Sequence, residues 1–390
     1  MSSISVLLVA WVALASLGWV GYAAWGAYHL WTVESLEDWV GPTPQSWPTV
    51  SIIVPACNEA DRLEAAMQSL LALDYPNLEI ILVEDRSTDE TPAIADRMAD
   101  DDSRLEVVHI EELPEGWLGK VHALHRGVER ASGDWYLFTD ADIHYEPDLL
   151  RRAIRAALHR QADHVTLVPE MRATGFWHEA LVMAFVTAFI AINPRATDRE
   201  ETDDFVGIGA FNLVRRSAFE ETEGFEWLRM EIADDAGLGL LLNRHGGRSL
   251  FGLAGDGLAL DVYDSFGDAL AGFEKNAFPI MAGYSWLRVL VGLAVCLVGV
   301  AGPIIGLVWL GLGAWPFSLA AVGALVALAL VGADVLERSP WPFLVTPVAQ
   351  LCLVYGVLRS AILCTSRGAV ERRGTRYPLE KLRQLQRVEM

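Results

Sequence analysis

The stretch WYLFTDADIHYEPDLL, residues 135–150, closes an apolar, strand-like run with Asp140 and Asp142 one residue apart. Like charges this close raise each other's pKa unless a cation lies between them. A solvated turn tolerates such a pair, and an isolated Asp-x-Asp is usually no more than that. The chemical alternative is a hard cation, Mg2+ or Mn2+, bound by carboxylate oxygens and shared with the phosphates of a substrate. Two more stretches have the same character. VSIIVPACNE is a β-branched run ended by Pro55, with Asn58 and Glu59 behind it, and LEIILVED stops on Glu84 and Asp85. Gly119-Lys120 opens a helical pattern, where glycine permits a tight turn and the ammonium and helix N-terminus both favour an anion. Further on, Asp234 and Asp235 precede the apolar helical spacing of AGLGLLL. Acidic residues there can be simple caps, or one can take the proton from an acceptor hydroxyl.

These residues need a frame that brings them together. Strand-like runs at 50–59, 78–85, 105–110, 135–140 and 164–169 alternate with helical patterns at 61–73, 91–99, 119–131 and 146–160. Such alternation predicts an α/β fold with a doubly wound, mostly parallel sheet, in which ligands bind beyond the carboxyl ends of the strands. Asn58 and Glu59, Asp85, and Asp140 and Asp142 would then meet in one crevice. A nucleoside-diphosphate sugar is a ligand that such a crevice suits. Glu84 or Asp85 can accept hydrogen bonds from base or ribose, and Lys120 can face the diphosphate. A cation on Asp140 and Asp142 would stabilise that diphosphate as a leaving group.

The chain has 390 residues, 52% of them hydrophobic, a mean hydropathy of +0.28 and a net charge of −21. It is too apolar for an ordinary soluble protein and too charged to lie wholly in a membrane. Residues 4–31 carry no Asp, Glu, Lys or Arg and exceed the roughly 20 residues that cross a bilayer. With no basic region before them they read as an anchor, not a cleaved signal. Three further spans fall at about 286–312, 315–335 and 341–365. The predicted organisation is an anchor (1–33), a catalytic domain (34–262), an interfacial helix (263–285), membrane segments (286–366) and a basic tail (367–390). The apolar stretch 175–193 inside the catalytic half reads as a buried helix, with an interfacial one as the alternative, and His178 within it as structural. Acidic runs at 99–104 and 197–204 fit either a solvated face or adaptation to high salt. Basic residues cluster only in the tail, which argues against nucleic acid as a partner. Cys57, Cys296, Cys352 and Cys364 show neither metal nor disulfide spacing.

Taken in order, SIIVPACNEA, ILVEDRSTDET, GWLGKVHALHRG, LFTDAD, FNLVRRSAFEETEGF and IADDAGLGLLL resemble a family 2 inverting glycosyltransferase with a GT-A fold, over roughly residues 50–285. The resemblance implies a UDP- or GDP-sugar donor and Mg2+ or Mn2+. It implies that Pro55, Asn58 and Glu59 line the nucleotide pocket and that Asp85 reads the base. Lys120 would face the diphosphate, Asp140 the sugar nucleotide and Asp142 the metal, with Asp235 as general base and Asp234 beside it. Processive polysaccharide synthases of this family carry a Gln-x-x-Arg-Trp motif, and this chain has none. In its place stands FGDALAGFEKNAFPIMAGYSWLR (266–288), with Lys275 the nearest cation. Its G-F-x-K-N segment and the tail RRGTRYPL (372–379) resemble the branch that glycosylates membrane lipids such as carotenoids, hopanoids or sphingolipids.

That branch implies a lipid acceptor and a multi-pass cell-membrane protein with a cytoplasmic catalytic domain. The alternatives are a processive synthase, disfavoured by the missing motif, and a transporter or nucleotide-regulated membrane protein. The apolar segments hold almost no ionisable residues that could form an ion path. Four spans would place the tail opposite the catalytic domain, whereas its arginines and lysine belong on the cytoplasmic side. One segment therefore does not cross, and Gly302-Pro303 points to the first of the C-terminal three.

Overall fold

The computed structural model describes residues 3–192, 205–263, 265–309 and 313–388, without the side chains of residues 271 and 273–276. The acidic run 197–204 and the Lys275 side chain lie outside the described residues. The frame is a mixed α/β sheet. Its strands, in chain order, are β1 (Val50–Ala56), β2 (Leu78–Asp85), β3 (Leu105–Ile110), β4 (Trp135–Phe138), β5 (Ile143–Tyr145), β6 (His164–Val168), β7 (Glu170–Arg172), β8 (Asn212–Arg215), β9 (Ser249–Leu253) and β10 (Leu258–Asp261). Seven of them form one sheet in the order β3-β2-β1-β4-β8-β6-β9. The pairs β1–β2, β2–β3, β1–β4 and β6–β9 are parallel, as the alternation of strand and helix predicts. The exception is β8, which runs antiparallel to both β4 and β6. A small sheet, β5-β10-β7, completes the domain.

Both faces of the main sheet are covered, which is why β1 is apolar apart from Ser51, whose hydroxyl donates to Glu79 at 2.5 Å. Successive side chains point to opposite faces. Val50, Ile52 and Val54 of β1 therefore pack with the helices Leu63–Leu71 and Leu149–His159. Ile53 faces the other way, with Ile81 and Val83 of β2, against the helix Gly119–Val128. Gly127 permits that approach, since a Cβ there would lie 2.3 Å from the Ile53 side chain. The close contact holds the N-terminus of the helix, with Gly119 and Lys120, over the carboxyl ends of β1 and β2.

Among the described residues, four helices are long and apolar enough to cross a membrane: Ser3–Thr32, Trp286–Val308, Trp315–Val335 and Thr346–Arg367. The last begins at Thr346 instead of 341, because Trp341–Leu344 forms its own short turn of helix before it. The first of the C-terminal three continues unbroken through Pro303. The 175–193 stretch forms the helix Phe176–Ile192, with ten buried residues. It is tied to the N-terminal helix by the Trp25 indole, which donates to the Ala191 carbonyl at 2.9 Å. His178 is buried within it, its Nδ1 accepting from the Thr174 amide at 3.2 Å. The helix Phe266–Ala282 packs along Thr346–Arg367, where the Phe278 amide donates to Ser360 Oγ at 3.0 Å.

The tail does not trail away. It forms a hairpin, β11 (Ala369–Arg372) and β12 (Thr375–Pro378), followed by the helix Leu379–Leu385. Its last residues return to the catalytic domain, where Glu231 accepts the amides of Arg387 at 2.6 Å and Val388 at 3.1 Å.

Candidate active site

The loops after β1 and β2 brace each other through Asn58. This residue has a φ of 54°, a left-handed conformation that asparagine tolerates better than most residues. Its side-chain oxygen accepts the Thr88 amide at 2.8 Å, while its own amide donates to Ser87 Oγ at 3.0 Å. Glu59 donates its amide to Thr91 Oγ1 at 2.8 Å, at the start of the next helix. The residue pattern alone offers Glu84 or Asp85, the family resemblance singles out Asp85, and in the structure the two have different partners. Glu84 is consumed by the fold, accepting the Ser87 amide at 2.5 Å and facing His109 Nδ1 at 3.1 Å. Asp85 is held by two hydrogen bonds from the Arg86 guanidinium, at 2.7 and 3.0 Å, and opens onto the cleft. Gly119 sits against it, leaving no room for a Cβ within 2.4 Å of its Oδ2.

Lys120 is the hub of the acidic side. Its Nζ lies 2.7 Å from Asp140 Oδ1 and 3.4 Å from Asp234 Oδ2. Burial alone would lower its pKa, but Asp140, Asp234 and Asp235 outweigh it and hold the group firmly as an ammonium. Asp235 accepts two amides, from Gly209 at 2.9 Å on one oxygen and from Ala236 at 2.9 Å on the other. The same Gly209 accepts the Asp140 amide at 3.0 Å, so one residue fixes the spacing of the two carboxylates. Burial, then the charge of Asp234, push Asp235 up to about 6, with Lys120 opposing. That is a suitable poise for a general base near neutral pH. Asp142 is raised too, first by burial and then by Asp140.

All nine residues singled out in the sequence line one cleft of about 1000 Å3: Pro55, Asn58, Glu59, Asp85, Lys120, Asp140, Asp142, Asp234 and Asp235. Cys57 lines it as well; burial, then Asp85, push its thiol up to about 11, so it is no nucleophile at neutral pH. Among the described residues no group of three His, Cys, Asp or Glu side chains could hold a metal by itself. The Asp140–Asp142 repulsion and the all-oxygen donor set nevertheless fit a hard cation that takes its remaining ligands from phosphate and water.

The sequence left two parts of the cleft unassigned. One is an apolar wall of Phe185, Phe189 and Ile192 from the helix Phe176–Ile192, with Ile280, Met281 and Leu353. The other is the tail hairpin: Tyr377 OH accepts the Gly119 amide at 3.1 Å, and Arg373 pairs with Glu59. Periodicity marks 175–193 as apolar but cannot say what it faces. The tail motif is visible as a resemblance, without a site attached.

Gly207 carries a testable demand. A Cβ there would stand 1.8 Å from the main-chain oxygen of Asp235 and 3.0 Å from the Ala236 nitrogen. Gly207→Ala must push the Asp235 backbone away, with an expected loss of more than ~2 kcal/mol of stability or a displaced carboxylate. Thermal unfolding read beside turnover checks it; wild-type values for both would contradict the packing described.

Comparison with known proteins fits this geometry. The Glycosyl transferase family 2 profile matches residues 51–222. The beta-monoglucosyldiacylglycerol synthase of Synechocystis is 28% identical over 264 residues, which cover 62% of this chain and 53% of that protein. Glycosyltransferase AglD of Haloferax volcanii is 38% identical over 101 residues, 24% of this chain and 15% of that protein. The chain thus spans about half or less of the length of the curated relatives it matches. A mannosyltransferase from Pyrobaculum calidifontis, solved with GDP-Man and Mn2+, shares the fold at a TM-score of 0.52 and 20% identity, over 89% of this chain and 99% of that one.

Proposed function

We propose that this chain, whose residues 51–222 match the Glycosyl transferase family 2 profile, moves a sugar from a nucleoside diphosphate to a hydroxyl of a membrane lipid. The observation that carries the reading is the continuity of one cleft, acidic at the strand ends and apolar along the helix Phe176–Ile192. A polar donor and a greasy acceptor need such a two-sided site. The glycolipid synthase among the relatives supports the same acceptor class.

In this mechanism Pro55, Asn58 and Glu59 border the nucleotide, and Asp85, fixed by Arg86, accepts from the base. Lys120 and Asp140 orient the sugar diphosphate. Asp142, with Asp140, would hold Mg2+ or Mn2+, which offsets charge on the departing diphosphate when bound. Asp235 removes the proton of the acceptor hydroxyl as its oxygen forms the new bond to the anomeric carbon. The bond to the diphosphate breaks on the opposite face, so the centre inverts. Asp234 keeps Lys120 close and keeps Asp235 basic.

A nucleotide-sugar donor places the catalytic domain in the cytoplasm. Since the tail packs on that domain, only two of the three C-terminal helices cross. We assign the interfacial position to Thr346–Arg367, not to the helix containing Gly302-Pro303. It carries Arg359, and it packs along Phe266–Ala282 and against Phe176–Ile192.

Asp142→Asn separates this reading from a non-catalytic one. The substitution relieves the repulsion with Asp140, so the unliganded protein keeps its stability. In the wild type, UDP or GDP with Mn2+ at ~100 times Kd should stabilise the fold by about 2.7 kcal/mol. In the variant the Mn2+-dependent part of that gain should disappear from a thermal-shift measurement. An undiminished gain would remove Asp142 from the metal site.

A further inference from the structure

Among the described residues the cleft is lined by five basic side chains, Arg62, Arg86, Lys120, Arg372 and Arg373, and two of them come from the tail hairpin. Arg86 is committed to Asp85 by two hydrogen bonds, and Lys120 is flanked by Asp140 and Asp234. A nucleoside diphosphate brings two to three negative charges into this already acidic space. Arg373 stands at the tip of the hairpin, where it and Gly374 have φ of 46° and 78°. Its Nη1 donates to the Asn58 carbonyl at 3.3 Å, and its Nη2 pairs with Glu59 Oε1. The side chain is still 53% exposed, against 16% for Glu59.

We infer that Arg373 is a ligand of the donor's diphosphate, supplied to the nucleotide loop from the far end of the chain. The inference rests on the donor class proposed above and adds a residue and an element to it. A guanidinium offers five donors in a planar fork that matches phosphate oxygens, and two of its nitrogens already reach the β1 loop. Its present partner Glu59 offers it one carboxylate oxygen, and a diphosphate entering the cleft beside it offers several. The hairpin is held in reach by the Tyr377–Gly119 bond, and Lys381 pairs with Glu115 at 2.7 Å beside the same loop.

The test is calorimetric titration of the full chain in lipid nanodiscs with UDP, GDP, uridine and guanosine, each with Mn2+. Arg373→Ala should weaken the diphosphate that binds the wild type by about 10-fold or more. Affinity for the matching nucleoside should stay within about 2-fold, since it lacks the phosphates. Arg373→Lys should fall between, and it keeps the test valid if the alanine variant does not fold. An Arg373→Ala protein that folds and binds the diphosphate as tightly as wild type overturns the inference while leaving the donor class standing. Equal weakening of the nucleoside also overturns it, by marking Arg373 as structural. A wild type that binds neither diphosphate overturns both.

Discussion

Asparagine in place of Asp235 is expected to lower sugar transfer by ~10²–10⁴-fold while leaving diphosphate affinity nearly unchanged. The carboxylate is the group whose position and poise both match a base. Its backbone hydrogen bonds to Gly209 and Ala236 fix it on the cleft wall, and each oxygen keeps a further lone pair. An amide of the same shape reproduces one of those acceptors and cannot take a proton at neutral pH. Losing the other acceptor costs about 1–3 kcal/mol of stability, which leaves a folded, donor-binding, inactive protein. The pH profile is the sharper reading. With Asp235 at about 6, kcat/KM of the wild type should fall as pH drops through that value, because the base becomes protonated. Stability linked to the same group moves the other way. Its folded pKa lies above the ordinary carboxylate value near ~4. Its stabilising contribution is therefore complete below ~4 and is lost as pH rises through about 6. Turnover gains where the fold loses, and Asp235→Asn should abolish this component of both curves.

Lys120→Met has the second large effect, and here fold and function fail together. The ammonium is the cation shared by Asp140 at 2.7 Å and Asp234 at 3.4 Å, and Asp235 feels it as well. Without it three carboxylates crowd one wall. Breaking a fully buried ion pair costs about 3–5 kcal/mol. The lysine side chain is 31% exposed, so solvent screening brings the expected loss to about 2–3 kcal/mol. Diphosphate binding should weaken as well, and any residual activity should show its acid limb shifted above 6, because Asp235 has lost its opposing charge. Thermal unfolding and a pH–rate profile of the methionine variant check both parts; wild-type stability would show that the acidic residues do not depend on this cation.

Much of this is legible in the sequence, for a physical reason. Strands such as SIIVP and LEIILV must be apolar on both faces to sit inside a covered sheet, so each announces itself. The polar residue that follows marks where the strand leaves the core. That alone gathered the acidic residues at one edge. The parts that stayed hidden depend on partners far away in the chain. FNLVRR reads as a family motif, but nothing local says that β8 enters the sheet backwards between β4 and β6. IHY is too short for a period to register. Glu84 and Asp85 are equivalent side by side until the Ser87 amide claims one and Arg86 the other. The hydrogen bond from Gly119 to Tyr377 joins residues 258 apart, a separation no sequence window sees. Similarly, 175–193 announces burial and leaves open that one flank of its helix faces the cleft.

The central claim is that one cleft joins a nucleotide sugar to a lipid hydroxyl. The direct measurement incubates the purified chain with a total lipid extract, Mn2+ and UDP- or GDP-hexoses labelled in the sugar. The label is then followed into the organic phase. Label is expected in a single lipid class with one of the donors, and none with Asp235→Asn. Label that accumulates only in water-soluble polymer, or donor that binds and is never transferred to lipid, would contradict it.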